Sequence, residues 1–147
     1  KDRCRVSSHH VPAPRVVATE LDLPEGTPVV MIDRVRSVDD EPIVLVTTYL
    51  PAALVPGLET IDFTDRSLYQ TLAARYGLII ERGRRLLESI AASDVCADQL
   101  GIEPGDPLLF LRSVTYLADG QAIEYYEARH RGDRTILEVD LVRQPPI

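Results

Sequence analysis

LPEGTPVVMIDRVRSVDDEPIVLVTTYLP, residues 23–51, is the stretch that decides the fold. It contains two runs rich in β-branched and other apolar residues, separated by the polar turn at residues 39–41. Such runs around a short polar turn predict an antiparallel hairpin. We expect its strands over residues 28–38 and 42–50, and we expect the rest of the chain to pack around them.

The first of these strands carries two arginines in register with its apolar residues. Because alternate strand residues point to the same face, one row contains Val30, Ile32, Arg34 and Arg36. Arginine stays charged and offers a planar set of donors, so such a row suits a partly buried anion site. An Arg-x-Arg pair is equally typical of a solvated strand surface. Spacing alone leaves both interpretations open.

Length and composition indicate one ordinary globular domain, residues 1–147. No apolar run approaches the length of a membrane span, and the formal net charge of −7 disfavours nucleic-acid binding by this chain. The first residues lack a signal-peptide pattern, and Cys4 and Cys96 form no CxxC motif. We therefore expect a cytoplasmic protein without a membrane partner.

The chain repeats itself. Residues 16–35 match residues 95–114 at a constant offset of 79, and the offset becomes 80 after the second turn, where Asp39 matches Asp119 and Ile43 matches Ile123. Each unit is predicted to be a helix, a Pro/Gly loop and a β-hairpin. Two such units predict an α+β fold, a largely antiparallel sheet with flanking helices packed on one side and a cavity between sheet and helices near the pseudo-twofold axis.

Turn and capping signals predict the remaining elements. A helix over 66–76 would be capped by Thr64 or Asp65 and ended by Gly77, and Gly83 would mark a bulge or bend in the strand that follows. The other predicted elements are a strand over 3–11, a short helix after Pro14, a strand over 78–91, a helix capped by Ser93, a hairpin over 107–117 and 121–131 turned at Asp119-Gly120, and a strand over 135–142.

Candidate binding residues lie on the second hairpin and at the central helix. Glu124, Tyr126 and His130 share one strand face, where an acid, a phenol and an imidazole can line a polar pocket. Ser67 and Tyr69 fall at the start of the central helix, where free backbone N–H groups favour an anion. Equally, Ser67 can serve only as a cap, Tyr69 can pack in the core, and a lone strand glutamate is usually solvated.

Catalytic signatures are missing from the sequence, which contains no GxSxG, HExxH, Walker A or GxGxxG motif. His9 and His10 are adjacent and would point to opposite strand faces, so they cannot share a metal ion. We expect no catalytic residue, no metal site and no cofactor.

With this order of elements, the chain resembles the UTRA domain, the effector-binding part of HutC-subfamily GntR-type transcription regulators. Six segments carry the resemblance in the family's order: APRVVATELDLPEGTPVVMIDRVR, DDEPIVLVTTYLP, RSLYQTLAARYG, the strand ending in ESIAAS, CADQLGIEPGDPLLFLRSV, and DGQAIEYYEARHRGD. The resemblance implies a chorismate-lyase-like fold that senses a small molecule and dimerises. It also implies that the DNA-binding winged helix and the start of the domain lie outside this chain.

Matched position by position, the family's ligand residues fall on Arg34, Arg36, Ser67, Tyr69 and Glu124. The resemblance therefore implies a small anionic effector, a sugar phosphate or a small carboxylate, bound by a homodimer that contacts DNA only through the absent domain. At two positions the chain departs from members that resemble amino-sugar-phosphate sensors, because Val46 stands where they commonly have glutamate and His130 where they commonly have tyrosine.

Two other functions remain open. The same fold with an arginine-lined pocket can support a cofactor-free enzyme of the chorismate lyase type, although a shared fold alone does not transfer an activity. A dimerisation module without a ligand is the third possibility.

Overall fold

The computed structural model describes residues 3–145. The strands are β1 (Arg3–Pro12), β2 (Pro28–Val38), β3 (Glu41–Pro51), β4 (Arg82–Ala91), β5 (Pro107–Tyr116) and β6 (Ala122–Arg131). The α-helices are α1 (Arg15–Glu20), α2 (Leu68–Tyr76) and α3 (Asp94–Leu100), with short 3-10 helices at Ala52–Leu54, Leu58–Thr60 and Gly132–Arg134. Both predicted hairpins, the first strand and all three predicted helices are therefore present.

The strands form one antiparallel sheet in the order β1-β2-β3-β6-β5-β4. This order is symmetric about the central β3–β6 pair, so the two hairpins are related by a pseudo-twofold axis, as the repeat predicts. The edge strands belong to the repeat as well, because β4 follows β1 at the same offset of 79 residues. Each unit is thus strand, helix, hairpin.

Helices cover both faces of the sheet, so the prediction that they pack on one side is wrong: α2, which lies outside the repeated units, packs on the face opposite α1 and α3. On one face Leu68 and Leu72 of α2 pack with Ile32 and Leu50. On the other face α1 and α3 form separate apolar clusters against the strands. The α+β prediction is therefore confirmed. Helix α2 has no counterpart in the second unit, so part of the sheet face on which it packs stays uncovered, and a pocket forms there beside the helix.

The prediction of a strand over 135–142 is wrong. Residues 135–145 have no regular secondary structure, and the apolar side chains of this segment are exposed, Ile136 to 94%. A strand needs a ladder of hydrogen bonds to a neighbour, and alternation of residue types does not supply one. Within the part of the chain that the structure describes, this segment pairs with no strand of the sheet.

The predicted strand over 78–91 begins four residues late, at Arg82. The backbone N–H groups of Gly77 and Leu78 donate to Ala73 and Leu72, so this part of the chain ends α2 instead of pairing in the sheet. The bulge predicted at Gly83 is also absent, because the β4–β5 register runs without a shift there. A Cβ at Gly83 would lie 3.4 Å from the Val114 carbonyl oxygen, so glycine allows a close approach of two strands.

The cap of α2 is Ser67, and not Thr64 or Asp65. The Ser67 hydroxyl accepts a hydrogen bond from the Gln70 N–H at 3.3 Å. The Asp62 carboxylate accepts from both the backbone N–H and the hydroxyl of Thr64, at 2.9 and 2.6 Å. This local turn keeps Thr64 in the loop and delays the helix. Among residues 3–145, moreover, no helix has the length and apolar character needed to cross a bilayer.

Candidate functional site

A cavity of about 430 Å³ lies between α2 and the sheet. The two hairpins meet at its floor, and the start of α2 forms a wall. All seven side chains singled out from the sequence line this single cavity, namely Arg34, Arg36, Ser67, Tyr69, Glu124, Tyr126 and His130. The strand register explains the convergence. Strands β2 and β6 both pair with β3, and the alternation along each strand turns its listed residues to the α2 side.

Glu124 is the buried polar centre of the cavity, with only 1% of its surface exposed. One carboxylate oxygen accepts hydrogen bonds from the Tyr69 hydroxyl at 2.7 Å and the Thr115 hydroxyl at 3.2 Å. Burial raises the pKa of Glu124, and the two hydroxyls with the charges of Arg34 and Arg85 partly offset that rise. The carboxyl group of Glu124 can therefore still accept a hydrogen bond from a bound molecule.

The phenol that contacts this carboxyl group is held in its neutral form. Burial, followed by the negative charge of Glu124, raises the pKa of Tyr69 well above its ordinary value. The Tyr69 hydroxyl therefore remains a donor, and its bond to Glu124 links α2 to β6 across the cavity.

Guanidinium groups surround the carboxylate. Arg34 is half-buried, and its Nη2 donates to the Thr48 hydroxyl at 3.3 Å. Arg36, two residues further along β2 on the same face, is exposed at the mouth of the same cavity. The cavity thus has an inner and an outer arginine from one strand, which is the geometry required to guide an anion inward and hold it there.

Arg85 of β4 also lines the cavity, although the sequence did not indicate it. Its Nε donates to the Ser113 hydroxyl at 2.9 Å and its Nη2 makes a very short contact with the Tyr126 hydroxyl. These bonds orient the guanidinium toward the cavity from the side opposite Arg34. The sequence shows basic residues near Gly83. Because a bulge was predicted there, and a bulge changes which face of the sheet the following residues point to, the face of Arg85 could not be predicted.

Arg66 was missed for a different reason, because the sequence placed it inside the helix instead of in the loop before it. It lines the cavity beside the Ser67 cap. The Ser67 hydroxyl serves α2 as a cap and also lies on the cavity wall, so the two interpretations of this residue are compatible. The start of α2 therefore lies beside the positively charged side chains of the cavity.

His130 lies at the far end of the β6 row and is half-buried. Burial, with a smaller contribution from the positive charge of Arg85, lowers its pKa. His130 is therefore neutral at pH 7, with one ring nitrogen as donor and the other as acceptor.

An adjoining compartment of about 490 Å³ shares Arg36, Val44, Arg66 and Ser67 with this cavity. It is bounded by the tip of the first hairpin and by the loop before α2, and it adds the apolar side chains of Val38, Ile43 and Phe63. The charged cavity thus opens into a partly apolar extension.

A separate cavity of about 420 Å³ lies on the opposite face of the sheet, near α3. Two of its charged side chains have neighbouring partners: Asp33 accepts a hydrogen bond from the Thr47 hydroxyl at 2.7 Å, and Arg129 lies 3.5 Å from Glu127. The cavity beside α2 is the stronger candidate site, because four arginines there line the same space as the buried carboxyl group of Glu124. The described residues include no group of three or more His, Cys, Asp or Glu side chains placed to hold a metal ion.

Sequence comparison identifies the family. The model of the UTRA domain matches residues 3–136. The HTH-type transcriptional regulator GmuR of Bacillus subtilis (strain 168) is 32% identical over 121 residues, which cover 82% of this chain and 51% of GmuR. The HTH-type transcriptional repressor PhnF of Mycolicibacterium smegmatis is 34% identical over 133 residues, which cover 90% of this chain and 54% of PhnF. The chain thus spans about half the length of these curated relatives.

Solved structures give the same result. The effector domain of PhnF from Mycobacterium smegmatis superposes with a TM-score of 0.88 at 27% identity, over 97% of this chain and 88% of that one. A GntR-family transcriptional regulator from Enterococcus faecalis V583 superposes with a TM-score of 0.83 at 25% identity, over 94% and 99% of the two chains. The expected fold is therefore confirmed, and the chain belongs to the UTRA family, the effector domains of GntR-type transcription regulators.

Proposed function

We propose that this domain senses a small anionic metabolite, a sugar phosphate or a small carboxylate, in the cavity beside α2. The observation that carries the proposal is the set of four arginines that line this cavity against one buried carboxyl group, that of Glu124. Arginines converging on an enclosed space repel one another, and an anion placed among them relieves that repulsion. A ligand with two negative charges suits this excess of positive charge best.

Each side chain has a distinct role in the proposal. Arg34 and Arg85 hold the anionic group from two sides, while the first turn of α2 and the Ser67 hydroxyl add further donors. Glu124 accepts a hydrogen bond from a hydroxyl or amine of the ligand, and Tyr69, Tyr126 and His130 fix its orientation. Val46 offers no acceptor on the facing strand, so the group bound there is less polar than an amino sugar.

We further propose that the ligand acts on DNA binding through a homodimer. A ligand changes the balance between two arrangements of a dimer only if it binds one of them more tightly. The cavity is suited to this, because its wall is a helix and its floor joins both repeats, so that a bound anion would draw α2 toward β2. The curated relatives are HTH-type regulators about twice as long as this chain. We assign contact with DNA to the part of such a regulator that this chain does not match.

Calorimetric titration tests the site assignment. The probes are glucose 6-phosphate, glucosamine 6-phosphate, inorganic phosphate and succinate, screened first by thermal shift because a specific ligand stabilises the folded state. Changing Arg34→Met, which keeps the apolar stem, should weaken binding of the best probe by at least about tenfold, the loss of one charge-assisted hydrogen bond. Arg15→Met on α1, on the other face of the sheet, is the matched control.

Equal affinity in the Arg34→Met and Arg15→Met variants would contradict the assignment of the site. A screen in which no phosphate or carboxylate raises the melting temperature would instead favour a dimerisation module without a ligand.

We propose binding without turnover, because the relatives named above are regulators. The buried carboxyl group of Glu124 beside arginines is nevertheless the arrangement that an enzyme of the chorismate lyase type would use as an acid, and this observation justifies one assay. Incubation of the chain with chorismate, followed by chromatography for 4-hydroxybenzoate and pyruvate, should give no product above a blank without protein. Product that disappears in the Glu124→Gln variant would establish the enzyme instead.

A further inference from the structure

The edge strand β4 is exposed on both faces. Leu87 points to the α2 side and Leu86 to the opposite side, and 51% and 43% of their surfaces are accessible. The outer backbone edge of β4 has no neighbouring strand among residues 3–145. An exposed edge that carries leucines on both faces is a template for pairing with another strand.

The segment at residues 135–142, TILEVDLV, is the second exposed apolar feature. Alternate residues of this segment are apolar, at Leu137, Val139 and Leu141, which is the pattern of a strand that lacks a partner. Single exposed apolar residues are ordinary, but a continuous run of them is typical of an interaction site.

The internal repeat has a counterpart of this segment that packs on the sheet, whereas this segment is exposed. At the offset of 80, Gly132–Arg134 corresponds to Ala52–Leu54, and residues 135–142 correspond to residues 55–62. In the first unit that segment buries Val55, Leu58 and Ile61 and contacts β1 at the sheet edge. The second unit has Thr, Glu and Leu at the matching positions, so it cannot form the same apolar contact.

Charge and side-chain size match between the two exposed features. Antiparallel pairing with Glu138 opposite Arg84 also places Asp140 opposite Arg82 and Ile136 opposite Leu86. Both ion pairs and the apolar pair fall on one face of the extended sheet. In the same register Val139 lies opposite Gly83, which leaves room for its side chain.

We propose that residues 135–142 of one copy add as a strand to the free edge of β4 of a second copy, in this antiparallel register. Each copy supplies one segment and one edge, so the contact occurs twice around a twofold axis and closes as a dimer. This inference rests on the homodimer in the proposed function and specifies its interface. Because Arg85 of β4 also lines the effector cavity, the partner's segment would lie directly behind a ligand-binding side chain.

A cross-link tests both the register and the occupant. In a background with Cys4→Ser and Cys96→Ser, the pair Leu86→Cys and Ile136→Cys is oxidised and run on a non-reducing gel. Residues directly opposite in an antiparallel pair are close enough for a disulfide. We expect a covalent dimer that each single-cysteine variant fails to give at the same yield. An internal disulfide within one chain, or no cross-link, would overturn the proposal.

A charge exchange separates this inference from the broader proposal of a homodimer. Glu138→Arg should raise the dimer dissociation constant, measured by light scattering across a dilution series, by about tenfold or more, because like charges then face each other twice per dimer. Arg84→Glu added to the same chain should restore dimerisation. Glu103→Arg, a surface change away from both segments, is the control.

The outcomes are distinguishable. A wild-type chain that stays monomeric at high concentration removes both the homodimer and this interface. A wild-type dimer that Glu138→Arg leaves unchanged removes only the interface, and the sensing proposal stands.

Discussion

Removal of one hydroxyl group, in Tyr69→Phe, tests whether the buried carboxyl group of Glu124 organises the cavity. The Tyr69 hydroxyl donates to Glu124 at 2.7 Å, and the Thr115 hydroxyl donates to the same oxygen at 3.2 Å. A hydrogen bond to a charged group contributes about 1.5–3 kcal/mol. Because 44% of Tyr69 is exposed, we take the lower part of this range, about 1.5–2 kcal/mol. This loss corresponds to a fall in melting temperature of about 3–8 °C for a domain of this size.

The effect should depend on pH in a defined direction. Burial raises the pKa of Glu124 above its ordinary value of 4.5, so the group favours folding below that value and the contribution is lost as the pH rises through the folded-state pKa. The hydrogen bond from Tyr69 opposes the rise in the pKa. Without it the pKa of Glu124 rises further, and the destabilisation should be larger at pH 8.5 than at pH 5.5, where more of the carboxyl group is protonated.

Tyr76→Phe is the matched control, since it lies on the same helix and its hydroxyl donates to the uncharged Pro56 carbonyl at 2.8 Å. Its cost should be about 0.5–1.5 kcal/mol and independent of pH. Melting curves of both variants and the wild type from pH 5.5 to 8.5 supply the measurement. Equal and pH-independent losses in the two variants would refute the reasoning that Tyr69 supports a buried charge.

The remaining predictions use the same melting and titration assays. Glu124→Gln should raise the melting temperature at pH 8, by a margin that shrinks toward pH 5.5, because a neutral amide avoids the cost of burying a charge, and it should abolish ligand selectivity. Ser67→Ala should lower stability by about 1 kcal/mol through the lost cap of α2. Affinity for inorganic sulfate should increase as the pH falls through the lowered pKa of His130, and His130→Gln should reduce that increase to the part that protonation of Glu124 contributes. Gly132→Ala should cost about 1–3 kcal/mol, because the added Cβ would lie 2.7 Å from the Pro107 carbonyl oxygen.

Local signals in the sequence predicted the parts of the fold that local physics decides. Both hairpins follow from alternation around a turn, and the first turn needs the positive φ values that Asp39 and Asp40 adopt. Helix α3 follows from the cap at Ser93, and both α2 and α3 end at a glycine in the left-handed conformation, Gly77 and Gly101. The repeat then placed the hairpins side by side, which predicted the sheet without any long-range information.

The wrong predictions concern segments whose structure depends on contacts with residues distant in the sequence. Residues 135–142 alternate like a strand, but a strand forms only where a free edge is available to it. Arg85 was missed because its facing depends on the register of β4 with β5, and a one-residue shift would turn it away from the cavity. The seven predicted side chains converge because they lie on central strands or on the helix that covers them, where alternation alone determines which face they share.

The site can be understood as a departure from the symmetry of the repeat. Arg34 on β2 corresponds to Ser113 on β5, and Ser113 accepts the hydrogen bond that orients Arg85. Arg36 corresponds to Thr115, which donates to Glu124. Each arginine of the first hairpin is therefore matched in the second by a hydroxyl residue that positions another member of the site.

The converse holds for the second strands of the hairpins. Glu124 and Tyr126 on β6 correspond to Val44 and Val46 on β3, which line the same cavity as an apolar wall. A symmetric pocket would place like charges opposite each other around the axis, at a cost that no single ligand would offset. Divergence of the two repeats separates the charges instead, with cations on β2 and an acid on β6. An asymmetric ligand, anionic at one end and carrying a hydrogen-bond donor at the other, therefore fits this cavity in one orientation only.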